Sequence, residues 1–431
     1  MPPHQCYAIR YILNKHPYIS KASFVLTKKI SPRLRVLLFQ RVMILNKNGT
    51  NIQIIIKNTK IMKKQALLII SFTVAAALFF TGCEQLGGPE QNEQSILPEE
   101  FSIDIPESIS FETEEQTGTK SVEPINGNLI YRHLAHFIRT GERGGELIEE
   151  IIKGIRKFNI NEPMSLSYTS DEDGRIKNLE VVENAFFEGK TWEFRLNITD
   201  AESEGNEDGG NAIQIFWNRQ PLQGVAILKP YNINRNNQGN ISATVFRIDY
   251  SRAGESGYDA HMIVAVSGLP LANPLDNMYS ASALKMFAGR KGDIVDVYGN
   301  SNHPNAKFFT AETGFNWAFV ASGNSDLDIG TAEVGLPGSY LDNPSRSVLL
   351  GNYSIRNVFS SRIYEVWPDI SQESLDIFLY NTEAPGFFDK DGFIQGGTSP
   401  GEDHDEIAGR LPLLSPYNPK EIAEMNIAFG N

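Results

Sequence analysis

Lys190-Thr191-Trp192-Glu193-Phe194-Arg195-Leu196-Asn197-Ile198-Thr199 decides the fold. Trp192, Phe194, Leu196 and Ile198 alternate without a break with Glu193, Arg195, Asn197 and Thr199. That period of two gives a strand one dry face and one wet face, the pattern of a half-buried antiparallel sheet. Phe246, Ile248 and Tyr250 repeat it against Arg247, Asp249 and Ser251. Further strands are expected near Leu179–Val182, Ala212–Trp217, Gly224–Leu228, Ala260–Val266, Leu284–Ala288, Ile294–Tyr298 and Phe315–Val320. Turn chemistry separates them at Asp173-Gly174, Glu188-Gly189, Gln238-Gly239 and Gly254 to Gly257. Strands that follow one another through short turns predict an antiparallel β meander, open to curling into a half-barrel.

Upstream the period changes to 3.6. Ile130, Leu134, Phe137 and Ile138 share one face, and after Gly141 to Gly145 so do Leu147, Ile148, Ile151, Ile152, Ile155 and Phe158. This predicts an N-terminal helix pair covering the meander, hence a mainly β (α+β) class with a β-rich globular body over 121–431. Beyond residue 322 the pattern loosens, which predicts a separate loop-rich part with strands near Ser347–Val358 and Ile363–Val366. A closing helix is signalled by Asn418 as N-cap, Pro419 at the first helical position and Glu421 three residues after the cap.

Charge is unevenly placed. Residues 1–83 hold 13 Lys/Arg and no Asp or Glu, so the other 26 basic residues face all 52 carboxylates in the remainder. A surface this acidic repels phosphate backbones, which excludes nucleic acid as a partner. Cys6 and Cys83 are the only cysteines of the sequence, so no disulfide can staple the body, and its core must be large enough to stand without one.

From Met62 the chain reads Lys63-Lys64, a mostly apolar run from Ala66 to Phe80, then Thr81-Gly82-Cys83. A basic start, an apolar stretch of about fifteen residues and small residues before a cut make a signal peptide over 62–82, too short for a comfortable transmembrane helix. Phe80-Thr81-Gly82-Cys83 resembles the lipobox of bacterial lipoprotein precursors, with Phe80 where Leu is usual. The resemblance implies cleavage between Gly82 and Cys83, diacylglycerol on the Cys83 thiol, palmitate-type acylation of its new amino group, and attachment to a membrane. Two or more acyl chains give stable anchoring where one does not. Glu84, in the place where Asp retains enterobacterial lipoproteins at the inner membrane, implies an outer-membrane protein facing the periplasm or the outside.

Residues 1–61 fit no leader, tether or domain. Asn46 to Ile61 is rich in Asn, Ile and Lys, residues with A- and T-rich codons, so 1–61 reads as a non-native upstream extension and Met62 as the start. Residues 83–120 are polar and acidic, with Glu99, Glu100, Glu107, Glu112, Glu114 and Glu115, and predict a flexible tether.

Chemistry-bearing motifs are sparse. Asp389-Lys390-Asp391-Gly392 offers alternate carboxylates before a turn, the kind of oxygen donors calcium takes. With Gly392 as sixth residue of a helix-loop-helix calcium loop, however, Phe387 stands first and Thr398 twelfth, and neither suits a ligand. Glu402, Asp403, Asp405 and Glu406 surround His404, and Asp200, Glu202, Glu204, Glu207 and Asp208 predict a mobile, solvated hairpin loop. His133 and His136 have metal-ligand spacing without a third donor beside them. No Gly-x-Ser-x-Gly elbow occurs. Trp192, Phe194 and Phe246 are the candidates to line an apolar ligand pocket. The expectation is a nonenzymatic envelope lipoprotein that binds a small molecule or an envelope protein. A half-barrel lipid carrier and an anchored hydrolase of polysaccharide or peptide are the alternatives.

Overall fold

The alternation around Trp192 is realised as one strand of a large sheet. The computed structural model describes residues 96–110, 127–236, 241–273, 280–306 and 314–430. The segments 1–61 and 62–82, with Gly82 and Cys83, lie outside the described residues.

Thirteen strands are described, each hydrogen-bonded antiparallel to the next in chain order. They are β1 (Met164–Thr169), β2 (Ile176–Phe187), β3 (Lys190–Asp200), β4 (Asn211–Arg219), β5 (Leu222–Leu228), β6 (Val245–Ser251) and β7 (Ala260–Ser267). β8 (Ala283–Lys291), β9 (Ile294–His303), β10 (Phe315–Asn324), β11 (Ile329–Gly335), β12 (Gly386–Asp389) and β13 (Gly392–Gly396) complete the sheet, which is not closed. The fold is therefore a mainly β, α+β meander. Glu188 and Gly189, both at positive φ, make the two-residue turn that joins β2 to β3 with the twist a hairpin needs.

Before the sheet come α1 (Glu107–Ser110) and α2 (Gly127–Ile155). α2 is one continuous helix where a pair was expected. Gly141, Gly144 and Gly145 are contact points rather than a break: a Cβ on them would meet Met286 Cε at 2.4 Å, Val264 Cγ1 at 2.9 Å and Met262 Sδ at 2.5 Å. The missing side chains let the helix settle onto β7 and β8. Leu134, Ile138, Ile148 and Ile152 of α2 join Leu196, Ile248, Met262, Met286 and Phe319 of the sheet in the main core.

Residues 96–110 correct the expected tether. Phe101, Ile103 and Ile109 are buried in that core, and Trp217 Nε1 donates to Ile96 O at 2.8 Å. Ordinarily an extended segment outside a sheet leaves its amides unpaired. Here Glu149 Oε1 accepts from Phe101 N, Ser102 N and Ser102 Oγ at 2.9, 3.0 and 2.6 Å, and Glu142 Oε1 accepts from Ile105 N at 2.7 Å. The acidic composition hid a few apolar residues that α2 was built to receive.

The opposite face of the sheet is also covered in places. Phe216, Val225 and Ile227 pack there with Ile427, and Val320 packs with Leu349, Leu350, Leu411 and Leu414. The part after 322 is thus not separate, since β11 to β13 extend the same sheet. The strands expected at 347–358 and 363–366 are helical instead: a π-helical turn at Ser347–Asn352 and α4 (Ile355–Val366), α3 being Pro230–Ile233. Ile355, Phe359 and Ile363 repeat every four residues, and Ser354 caps the helix by accepting from Asn357 N at 3.3 Å. α5 (Gln372–Phe378), α6 (Glu402–Ala408) and α7 (Pro419–Ala423) follow, and Asn418 caps α7 as its sequence indicated.

Candidate partner-binding surface

Between β11 and β12 the chain leaves the sheet and builds a two-helix projection from α4 and α5. Serines start both helices: Ser371 accepts from Ser374 N at 3.2 Å, as Ser354 does for α4. Pro368 stands just after the capping residue Trp367 and cannot continue α4. Ile363, Leu375 and Leu379 form a small core of their own with Phe359 and Ile370. Arg356 locks the pair together by donating to Leu379 O at 3.0 Å, and it also pairs with Asp376 and Glu383.

This small core leaves much apolar surface outside. Trp367 is 52% exposed, Ile377 63% and Tyr380 68%, with Tyr364, Val366 and Phe378 also exposed. Trp367 stacks on Phe378 with ring centroids 6.5 Å apart, and Tyr364 Oη donates to Gln372 Oε1 at 3.3 Å, so aromatic residues of both helices share one surface. Soluble proteins rarely leave large apolar patches bare, and those they do leave usually mark interaction sites. Exposed Asp369 and Glu373 give the surface an acidic border.

The residues singled out in the sequence go elsewhere. Phe194 stacks on Trp217 at 5.3 Å in the main core, and Phe246 packs against that core half-buried. Trp192 belongs to the separate cluster of Phe187 and Phe216. The three do not meet at one cavity. Asp389 Oδ1 accepts from Asp391 N at 2.8 Å and so shapes the β12–β13 turn, with Gly392 at φ 105°. Among the described residues no three His, Cys, Asp or Glu side chains gather to hold a metal ion. The run around His404 forms the first turn of α6, where carboxylates suit the helix dipole, and His404 Nε2 lies 3.0 Å from Phe388 O. His133 is edge-on to Trp317 at 6.2 Å, and desolvation by its neighbours lowers its pKa, with His136 and Arg132 adding to the effect. Ser301 Oγ and His303 Nε2 lie 2.7 Å apart, but Ser301 is only 2% exposed, so the hydroxyl is a packed group and not an open nucleophile.

The expected mobile loop after β3 is held down at both ends. Asp200 is fully buried between Arg175 and Lys177, and Asp208 accepts from Lys229 Nζ at 2.6 Å and Asn232 Nδ2 at 2.8 Å.

The aromatic projection was missed in the sequence because its Ile and Val residues suggested strands. The available signal was the spacing of Ile355, Phe359 and Ile363, which leaves Tyr364, Val366 and Trp367 with no face to bury them. Compared with known protein families, curated proteins and solved structures, the chain gives no match.

Proposed function

We propose that the chain is a lipid-anchored, nonenzymatic protein of the cell envelope that binds a partner protein through the aromatic surface of α4 and α5. The observation that carries the binding role is the exposure of Trp367, Ile377 and Tyr380 on a projection with its own small core. The address rests on the lipobox resemblance at Cys83, and Glu84 favours the outer membrane, on its periplasmic or outer side. The acidic border set by Asp369 and Glu373 suits a partner cleft that is apolar inside and basic at its rim. The packed side chains between α2 and the sheet weigh against the carrier alternative, which needs that space for a ligand.

The test is photo-crosslinking in native membranes with a photoreactive residue at 377 or 380, and at Phe186, near the end of β2, as an exposed control. The expected result is one protein adduct at 377 and 380, absent at 186 and abolished by Trp367→Glu. Equal labelling at 186, or labelling of lipid alone, overturns the reading. Cys83→Ala, run alongside, is expected to release the protein from the membrane.

A further inference from the structure

An open sheet has two edges, and here they are treated differently. At β13, Phe393 stacks on Tyr131 at 4.8 Å and Gly396 N donates to Asn381 Oδ1 at 2.7 Å. A Cβ on Gly396 would meet Glu383 O at 2.4 Å and Asn381 O at 3.0 Å, so backbone stands directly against this edge. At β1 no strand among the described residues pairs with the outer edge. Its sequence, Met164-Ser165-Leu166-Ser167-Tyr168-Thr169, carries no Lys or other charge and no Pro, and its pairing with β2 has no bulge, so the strand itself holds none of these edge guards.

The side chains of β1 are also incompletely covered. Met164, Leu166 and Tyr168 pack against the main core yet stay half-buried, while Ser165, Ser167 and Thr169 are exposed on the other face. On that polar face a groove of about 620 Å³ runs over β1, β2 and β3, with Ser165, Ser167, Asn178, Glu180, Asn197 and Glu204 among its lining. Ser167 Oγ donates to Asn178 Oδ1 at 2.7 Å and Asn178 Nδ2 to Glu204 Oε1 at 2.8 Å, which fixes the amide and holds Glu204 over the groove. Glu162 and Asp171 are exposed just beyond the two ends of β1.

We infer that β1 is a docking edge for an extended peptide segment of a partner protein, added as a fourteenth strand. The strand of six residues sets the length of the match, and main-chain hydrogen bonds supply its affinity. Alternation sets its sequence class. Residues beside Met164, Leu166 and Tyr168 are apolar and complete the core layer, and residues on the groove side are basic, drawn by Glu204, Glu162 and Asp171, while Glu180 is already paired with Arg195 at 2.8 Å. This edge is independent of the α4–α5 surface, and either can fail without the other.

The experiment uses the whole protein and a labelled peptide of alternating Lys and Val, seven residues long. Two control peptides accompany it, one with Glu for Lys and one N-methylated at alternate amides. The expected result is binding of the Lys peptide, with affinity at least about tenfold lower for both controls. Ser167→Lys, at an exposed position that tolerates it, is expected to weaken the Lys peptide about tenfold and strengthen the Glu peptide. Equal binding of the N-methylated peptide, or no Lys-peptide binding up to about 1 mM, overturns the inference. A dimer of the unliganded protein that Ser167→Lys dissolves also overturns it, because a second copy then fills the edge.

Discussion

The ammonium of Lys177 meets the carboxylate of Asp200 at 2.8 Å with both side chains sealed from solvent. Its other two donors go to Asp173 Oδ2 and Asn232 O, each at 3.0 Å, so all three are used. Arg175 closes the other side of Asp200 with two bonds of 2.8 and 2.7 Å. β2, β3, the loop after β3 and α3 therefore meet at one satisfied charge cluster.

Asp200→Asn is expected to cost about 3 kcal/mol, because Lys177, sealed from solvent, keeps only Asp173 as counter-charge and the quarter-exposed Arg175 loses its two-bond partner, keeping Glu202. Lys177→Met should cost less, since Arg175 still neutralises Asp200 and Asp173 keeps its bonds from the backbone amides of Arg175 and Arg235. Urea denaturation of the three proteins checks the order, and equal midpoints for Asp200→Asn and wild type would refute it.

The same cluster predicts a pH dependence. Burial alone would raise the Asp200 pKa, but the hydrogen bonds from Arg175 and Lys177 outweigh it and hold the carboxyl below its ordinary range. A depressed folded pKa stabilises the protein above the unfolded value of about 3.9, and that stabilisation fades as pH falls toward the folded value. The stability gap between wild type and Asp200→Asn should stay level from pH 7 to 5 and narrow below pH 4. A gap that widens on acidification would contradict this sign.

Glu149→Ala removes the acceptor of Phe101 N, Ser102 N and Ser102 Oγ together. Partly buried donors without partners cost about 1–3 kcal/mol each at most, and some regain water, so a loss of about 2–4 kcal/mol is expected. Hydrogen exchange should show the amides of Phe101 and Ser102 losing protection before those of the central strands. Unchanged protection there would mean that apolar burial alone holds the segment.

The meander was legible because alternation along β3 and β6 is a direct record of a sheet with one dry face. The closing helix was legible for a similarly local reason, its cap at Asn418. Two features were hidden because they depend on partners distant in sequence, and a third because its Ile and Val residues read as strand. Glu142 and Glu149 look like solvated charge until the extended segment 101–105 lies against them. Gly141 and Gly145 look like a helix break until Met286 and Met262 are placed beneath them. The projection of α4 and α5 shows as a binding surface only once its small core is seen to leave Trp367 and Ile377 outside. Cys83 lies outside the described residues, and its reading rests on the lipobox resemblance alone.

The glycines of α2 give a graded prediction. Alanine normally favours a helix over glycine by about 1 kcal/mol. At Gly144 the nearest obstacle is one methyl of Val264 at 2.9 Å, so Gly144→Ala should change stability little. At Gly145 the new carbon meets Met262 Sδ at 2.5 Å, Ser102 Cβ at 3.0 Å and the backbone oxygen of Phe101 at 3.2 Å, and backbone cannot step aside as a side chain can. Gly145→Ala should therefore be the worse change, and Gly145→Val should cost about 1–3 kcal/mol. Thermal melts of the three variants test the ranking.

Stability and binding should separate at the α4–α5 projection. Ile377 and Tyr380 are more than 60% exposed, so Ile377→Asp and Tyr380→Asp remove little buried surface and should shift stability by no more than about 0.5 kcal/mol. Leu375 is 2% exposed within the small core, and Leu375→Ala should cost about 2–5 kcal/mol locally. If the surface exists to be covered, the two Asp variants lose the partner adduct while melting like wild type. A structural role for these side chains would instead lower melting and adduct yield together, and that joint loss would remove the reason for reading the projection as a binding surface.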